Sequence, residues 1–76
     1  MIMREQVISI LATVKPTKSF EGVEDIIEGG YLDSFELMAL ISTLAEEFDI
    51  EIDVDEIVPE NFNSVEAIAA MVERLK

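Results

Sequence analysis

Apolar residues recur at helical spacing between residues 34 and 48 of this 76-residue chain. Positions three or four apart lie on one face of a helix, and large apolar side chains occupy them here: Leu37, Leu40, Ile41, Leu44 and Phe48. Just ahead of them stand Asp33 and Ser34, two residue types that favour the N-terminal end of a helix. The pattern predicts a helix over residues 34–48 with Ser34 at or just inside its first turn.

Two other segments have a helical pattern. From Met3 to Val14 apolar residues recur at helical spacing, and Pro16 ends the pattern. Near the C-terminus a helix is predicted to start at Asn63 or Ser64. An N-cap at Asn63 would place Glu66 at the third helical position, as in a capping box.

Residues 49–56 alternate acidic and apolar side chains, the pattern of a half-buried strand. No second segment of comparable pattern could pair with it, and an isolated strand leaves its backbone groups without partners. We therefore predict an extended linker that leads into a short helix from Asp55 to Val58, stopped by Pro59. The expected fold of residues 1–76 is a single all-α domain, a bundle of three longer helices and one short helix with a long first loop.

Acidic residues dominate the composition. The chain has 17 Asp and Glu against five Lys and Arg, a formal net charge of −12, and no base lies between Ser19 and Glu73. Such a surface repels nucleic acid and anionic lipid and attracts basic protein patches, although acids also simply keep a small protein in solution. With no cysteine and no histidine in the chain, an enzyme is the least expected class.

Apolar runs in the chain are short. None approaches the roughly 20 residues that span a membrane, and the first residues lack the basic start and long apolar core of a secretory signal. We therefore expect a cytoplasmic monomer that does not insert into membranes.

The acids from Asp49 to Glu60 match the ligand positions of an EF-hand calcium loop. The sharp turn of that loop needs glycine at its sixth position, where this chain has Val54. No metal site is predicted, and a calcium-responsive protein stays as an alternative.

Ser34 is placed where a helix can hold an anion. First-turn N–H groups lack intrahelical partners and the helix dipole is positive at this end, so a phosphodiester on the Ser34 hydroxyl would be stabilised by the helix itself. Gly29 and Gly30 give the preceding loop the freedom to turn into the helix. The alternative is that Asp33 and Ser34 only cap the helix.

A second strip of the same helix is partly apolar and begins beside Ser34. Phe35 and Met38 would suit docking of a partner protein if they are exposed, and they would belong to the core if they are buried. Acids on the same helix would contact basic patches of that partner: Glu36, Glu46 and Glu47.

The segment Gly30-Tyr31-Leu32-Asp33-Ser34-Phe35 and the later Pro59-Glu60-Asn61-Phe62 resemble the acyl carrier protein family, the phosphopantetheine-carrying domains. The resemblance covers nearly the whole chain and implies that Ser34 is the attachment serine. It also implies that Asp33 helps a phosphopantetheinyl transferase to recognise and orient the site, a role that a magnesium ion could mediate. The 4′-phosphopantetheine comes from coenzyme A, and its thiol carries acyl or aminoacyl thioesters to ligases or synthases with basic docking patches. The carrier itself has no catalytic residues.

The middle of the helix 34–48 departs from the fatty-acid branch of the family, which usually has several acids there. This chain has Met38, Ala39, Ser42, Thr43 and Ala45. The Pro-Glu-Asn-Phe phrase resembles stand-alone carriers of the D-alanyl or nonribosomal-peptide type, while fatty acid and polyketide biosynthesis stay open. The competing hypothesis is an acidic helical interaction module that is never modified and binds basic partners through the same surface.

Overall fold

The structure is a computed structural model that describes residues 2–76, with side chains from Met3 onward. It contains the helices α1 (Ile2–Val14), α2 (Ser34–Phe48), α3 (Pro59–Phe62) and α4 (Val65–Leu75) and a 3-10 turn at Val54–Glu56. No strand occurs among residues 2–76. The all-α fold is confirmed, and the alternating segment 49–56 is not a strand.

Helix α1 packs against both α2 and α4, and α3 packs against α4. The interior is built from apolar side chains that are less than a tenth exposed. They are Met3, Val7, Ile10, Leu11, Phe20, Ile26, Leu32, Leu40, Ile41, Leu44, Phe62, Val65, Ile68, Met71 and Val72. Three of the five apolar residues predicted for one face of α2 are in this core, and the other two, Leu37 and Phe48, are half-buried against it.

The long first loop between α1 and α2 is pinned to the core. Phe20, Ile26 and Leu32 bury their side chains between the helices, while Val23 and Ile27 are half-buried. Because the buried Leu32 lies two residues before Ser34, the loop delivers the start of α2 to a fixed place.

The short helix follows Pro59 rather than preceding it. The prediction of a helix from Asp55 to Val58 was wrong, because residues Val54–Glu56 form only a 3-10 turn and Pro59 occupies the first turn of α3. Proline is favoured there because the N–H that it lacks would have no intrahelical partner. The proline therefore starts a helix instead of stopping one.

Ser64, and not Asn63, caps α4. The Ser64 Oγ accepts a hydrogen bond from the Ala67 N–H at 3.0 Å. Of the two predicted starts, Ser64 is confirmed and the capping box from Asn63 to Glu66 is wrong. Glu66 instead accepts from the Arg4 guanidinium at 2.8 Å, which ties α4 to α1.

The 3-10 turn is fastened to α4 by a second ion pair. The Arg74 guanidinium donates two hydrogen bonds, of 2.9 and 3.0 Å, to the Glu56 carboxylate. The Asn61 Nδ2 donates to the Glu56 carbonyl at 2.7 Å and to its Oε1 at 3.2 Å. Asn61 therefore holds the segment that precedes α3, at a place away from the first loop.

Candidate functional site

A reciprocal capping box begins α2. Asp33 is the N-cap, with extended backbone, and its Oδ1 accepts from the Glu36 N–H at 2.8 Å. The Glu36 Oε1 in turn accepts from the Asp33 N–H at 2.9 Å. Because these two residues supply the cap, the exposed Ser34 is not needed for it. The structure thus assigns the capping role to Asp33, and the exposed Ser34 hydroxyl is not part of the cap.

Ser34 is the first residue of α2, at the positive end of the helix dipole. The Leu37 N–H donates to the Asp33 carbonyl at 2.9 Å and the Glu36 N–H is held by the cap. The N–H groups of Ser34 and Phe35 precede these bonds, in the part of a helix where amides have no intrahelical acceptor. An anionic group bonded to the Ser34 Oγ would therefore lie next to amide donors.

Lys15, the residue after α1, reaches the same capping box. Its Nζ lies 3.0 Å from the Oε1 and 2.9 Å from the Oε2 of Glu36. The hydrogen bond from Lys15, followed by that from the Asp33 N–H, lowers the pKa of Glu36 below its ordinary value. Glu36 is therefore a charged and internally engaged residue. No local pattern predicts this contact, because 21 residues separate the two partners.

The strip beside Ser34 is exposed. Phe35 is 87% exposed and Met38 is 55% exposed, so both lie at the surface and neither belongs to the core. Glu46 and Glu47 are exposed at the other end of α2, and neither makes an ion pair within the described chain. Of the five residues predicted for docking, Glu36 alone has its carboxylate committed to other residues of the chain.

The two glycines of the loop before Ser34 are both required by geometry. Gly30 has a φ of +76°, which side chains other than that of glycine rarely adopt. At Gly29 a Cβ would lie 2.6 Å from the Asp25 carbonyl oxygen, a distance that no side chain could accept. The turn from Asp25 to Gly30 is thus one compact unit, and hydrogen bonds from the Gly29 and Gly30 N–H groups close it.

Asn63, 36 residues after Ile27 in the chain, holds this turn in place. Its Oδ1 accepts from the Ile27 N–H at 2.9 Å and from the Glu28 N–H at 3.2 Å. Its carbonyl oxygen accepts from the Ile26 N–H at 2.9 Å. From the sequence, Asn63 is interpreted as one of two possible N-caps of the last helix. Its contacts with residues 26–28 could not be predicted, because nothing local indicates that these residues are its neighbours.

Most of the basic residues are engaged within the chain. Arg4, Lys15 and Arg74 form ion pairs, and the Lys18 Nζ lies 5.4 Å from the centre of the Tyr31 ring. Several acids from the last turn of α2 to the first turn of α3 have no ion-pair partner among residues 2–76: Glu46, Glu47, Asp49, Glu51, Asp53, Asp55 and Glu60. This segment of the chain therefore carries a negative charge that attracts basic protein surfaces.

In the described part of the chain no three acidic side chains come together in a group that could hold a metal ion. Over the same residues, the helices are too short and too polar for a membrane span.

Residues 5–72 match the family described as "Phosphopantetheine attachment site". The chain is 38% identical over 76 residues to the D-alanyl carrier protein of Lactococcus lactis subsp. lactis (strain IL1403), covering 97% of this chain and 96% of the relative. The D-alanyl carrier proteins of Lactococcus lactis subsp. cremoris strains MG1363 and SK11 are each 37% identical over 73 residues, covering 93% of this chain and 92% of the relatives. The fold and these matches define a carrier protein. The chain belongs to the phosphopantetheine-binding family.

The cofactor of this family is a covalently attached 4′-phosphopantetheine. The start of α2 fits such a group, since an exposed serine hydroxyl stands beside first-turn amides and outside the helix cap. The exposed Phe35 and Met38 border the same position without covering it.

Proposed function

We propose that Ser34 carries the 4′-phosphopantetheine arm and that the chain presents thioester-bound acyl or aminoacyl groups to partner enzymes. The observation that supports this most is the position of Ser34, exposed at the first residue of α2 while Asp33 and Glu36 make the cap. The terminal thiol of the arm supplies the group to which the cargo is bonded. The chain is then a carrier and a substrate of other enzymes, and not an enzyme itself.

In the attachment reaction the Ser34 Oγ forms a bond to the phosphorus that bears the pantetheine arm of coenzyme A. The pyrophosphate bond breaks, adenosine 3′,5′-bisphosphate leaves and the hydroxyl proton passes to the transferase. In this chain the first-turn amides favour the phosphodiester that results. Asp33 uses only Oδ1 in the cap, so Oδ2 can orient the site for the transferase by way of a magnesium ion.

D-alanine is the cargo that we propose. Three relatives that are 37–38% identical over nearly the whole chain are D-alanyl carrier proteins. The exposed middle of α2 also lacks the acids that are typical of the fatty-acid branch, because Met38, Ala39 and Ser42 occupy it. The loading partner would then be a cytoplasmic ligase that activates D-alanine.

The docking surface that we propose runs along α2 from Ser34. Phe35 and Met38 would enter an apolar recess of the partner, where large exposed side chains contribute most. Glu46 and Glu47 would meet basic residues two to three turns further along and raise the rate of encounter. Glu36 stabilises the start of α2 instead of contacting the partner, since its carboxylate accepts from Lys15 and from the Asp33 N–H.

Intact-mass measurement after incubation with coenzyme A, magnesium and a broad-specificity phosphopantetheinyl transferase tests the attachment. We expect a gain of one phosphopantetheine in the unmutated chain and in Ser9→Ala, a matched change of an exposed helical serine on α1, and no gain in Ser34→Ala. Modification of Ser34→Ala would contradict the proposal. The modified chain should then gain D-alanine, as a hydroxylamine-labile thioester, from a D-alanine ligase.

The unmodified interaction module is the second candidate, because the unpaired acids from Glu46 to Glu60 and the exposed Phe35 are present whether or not Ser34 is modified. It predicts that Ser34→Ala keeps the biological function while a double change of Glu46 and Glu47 to lysine abolishes it. The carrier hypothesis predicts loss of function in Ser34→Ala, with the fold retained.

A further inference from the structure

We propose that Asn63 is a positioning residue for the modification of Ser34, a role that rests on the proposed function. Asn63 lies between α3 and α4 and far along the chain from Ser34. Its side chain and backbone nevertheless accept three hydrogen bonds from consecutive amides of the loop that leads to α2. These contacts link the α3–α4 junction to the position of the attachment serine.

The link continues from the loop to Ser34 through a series of contacts. The Ile26 N–H donates to the Asn63 carbonyl, and the Ile26 carbonyl accepts from the Tyr31 N–H at 2.9 Å. The next residue, Leu32, is buried in the core. It is followed by the N-cap Asp33 and then by Ser34. Holding residues 26–28 in place therefore also holds the loop residues that lead to Ser34.

The side-chain oxygen of Asn63 is the acceptor for two amides of the turn. Ile27 and Glu28 donate to Asn63 Oδ1, while the amides of Gly29, Gly30 and Tyr31 donate to carbonyls of residues 25–27. Loss of the Oδ1 acceptor would leave both amides to water and free the turn to sample other conformations. A transferase that binds only the conformation seen in the structure would then bind more weakly, because its apparent affinity is proportional to the fraction of chains in that conformation.

The expected signature is therefore a change in KM and not in kcat. Two hydrogen bonds near the lower end of their ordinary net strength shift the equilibrium of the loop about tenfold toward conformations that the transferase does not bind. We expect Asn63→Ala to raise the KM of the transferase for this carrier about tenfold and to leave kcat within about twofold. Asn63→Asp keeps an acceptor oxygen in the same place and should restore the KM to within about threefold of the unmutated value.

Asn61→Ala is the matched control. Asn61 is also half-buried and also makes two side-chain hydrogen bonds, but it donates both to Glu56 and neither to the loop. It should reduce thermal stability by a similar amount and leave the KM unchanged. An equal rise of KM in Asn61→Ala would assign the effect to general destabilisation and overturn the proposal.

Hydrogen exchange of the unmutated chain tests the geometry without any variant. The amides of Ile27 and Glu28 should exchange at least tenfold more slowly than unprotected amides, and Asn63→Ala should remove this protection. Free exchange of both amides in the unmutated chain, or a KM in folded Asn63→Ala equal to that of the unmutated chain, would overturn the positioning role. Absence of any modification of the unmutated chain would instead refute the proposed function of Ser34.

Discussion

Two replacements of Asp33 distinguish its role as the N-cap of α2 from its proposed role in recognition by the transferase. Asp33→Ala removes the oxygen that accepts from the Glu36 N–H at 2.8 Å, while the hydrogen bond from the Asp33 backbone to Glu36 can persist. Loss of an N-cap side chain costs about 1 kcal/mol. For a domain of this size, that corresponds to a fall in melting temperature of about 4–8 °C.

Asp33→Asn should behave differently. Asparagine caps helices about as well as aspartate, so the unfolding free energy should stay within about 0.5 kcal/mol of the unmutated value. The variant lacks the carboxylate charge that we assign to recognition by the transferase. We therefore expect slow modification of both variants but a lower stability only for Asp33→Ala.

Far-ultraviolet circular dichroism during thermal and urea unfolding measures the stability, and a time course of intact mass measures the modification. If Asp33→Asn is destabilised as much as Asp33→Ala, the capping argument is wrong. If Asp33→Asn is modified as fast as the unmutated chain, the carboxylate has no role in recognition and Asp33 is only a cap.

Three further predictions follow from the charges and the backbone. The hydrogen bond from Lys15 lowers the pKa of Glu36 in the folded chain. The stability that this pair contributes should therefore be fully present above the ordinary pKa of glutamate, and it should be lost as the pH falls through the lower pKa of the folded chain. Urea midpoints of Lys15→Met and the unmutated chain should therefore differ at pH 7 and converge as the pH falls below the folded pKa of Glu36, and a constant difference would contradict the pairing. Asp49 ends α2 with a φ of +53°, so Asp49→Gly should raise the unfolding free energy by about 0.5–1 kcal/mol in urea titration; a loss of stability would refute this. The unpaired acids between α2 and α3 repel one another, so the melting temperature should rise from low to moderate salt, whereas a flat profile would mean that they are compensated.

Helix α2 could be predicted from the sequence because its information is local. The apolar spacing identified the face that is buried at Leu40, Ile41 and Leu44, and the Asp-Ser pair located the first turn. The glycines likewise marked a real turn, with a positive φ at Gly30 and a close approach at Gly29. Local patterns were sufficient wherever the partner groups lie within a few residues.

The contacts that could not be predicted join distant parts of the chain. Lys15 meets Glu36 across 21 residues, and Asn63 meets Ile27 across 36 residues. The error at Asn63 has this origin, because a capping residue and a loop anchor look the same in sequence and only the folded chain brings residues 26–28 to it. The error at Pro59 is different, since proline is compatible with both the end and the start of a helix.

Fragmentation mass spectrometry of the transferase-treated chain tests the central claim most directly, because it locates the arm on one of the five serines. The account predicts that all of the phosphopantetheine lies on the peptide that contains Ser34, with none on those that contain Ser9, Ser19, Ser42 or Ser64. An arm on any other serine, or a folded chain that several transferases leave unmodified, would contradict it.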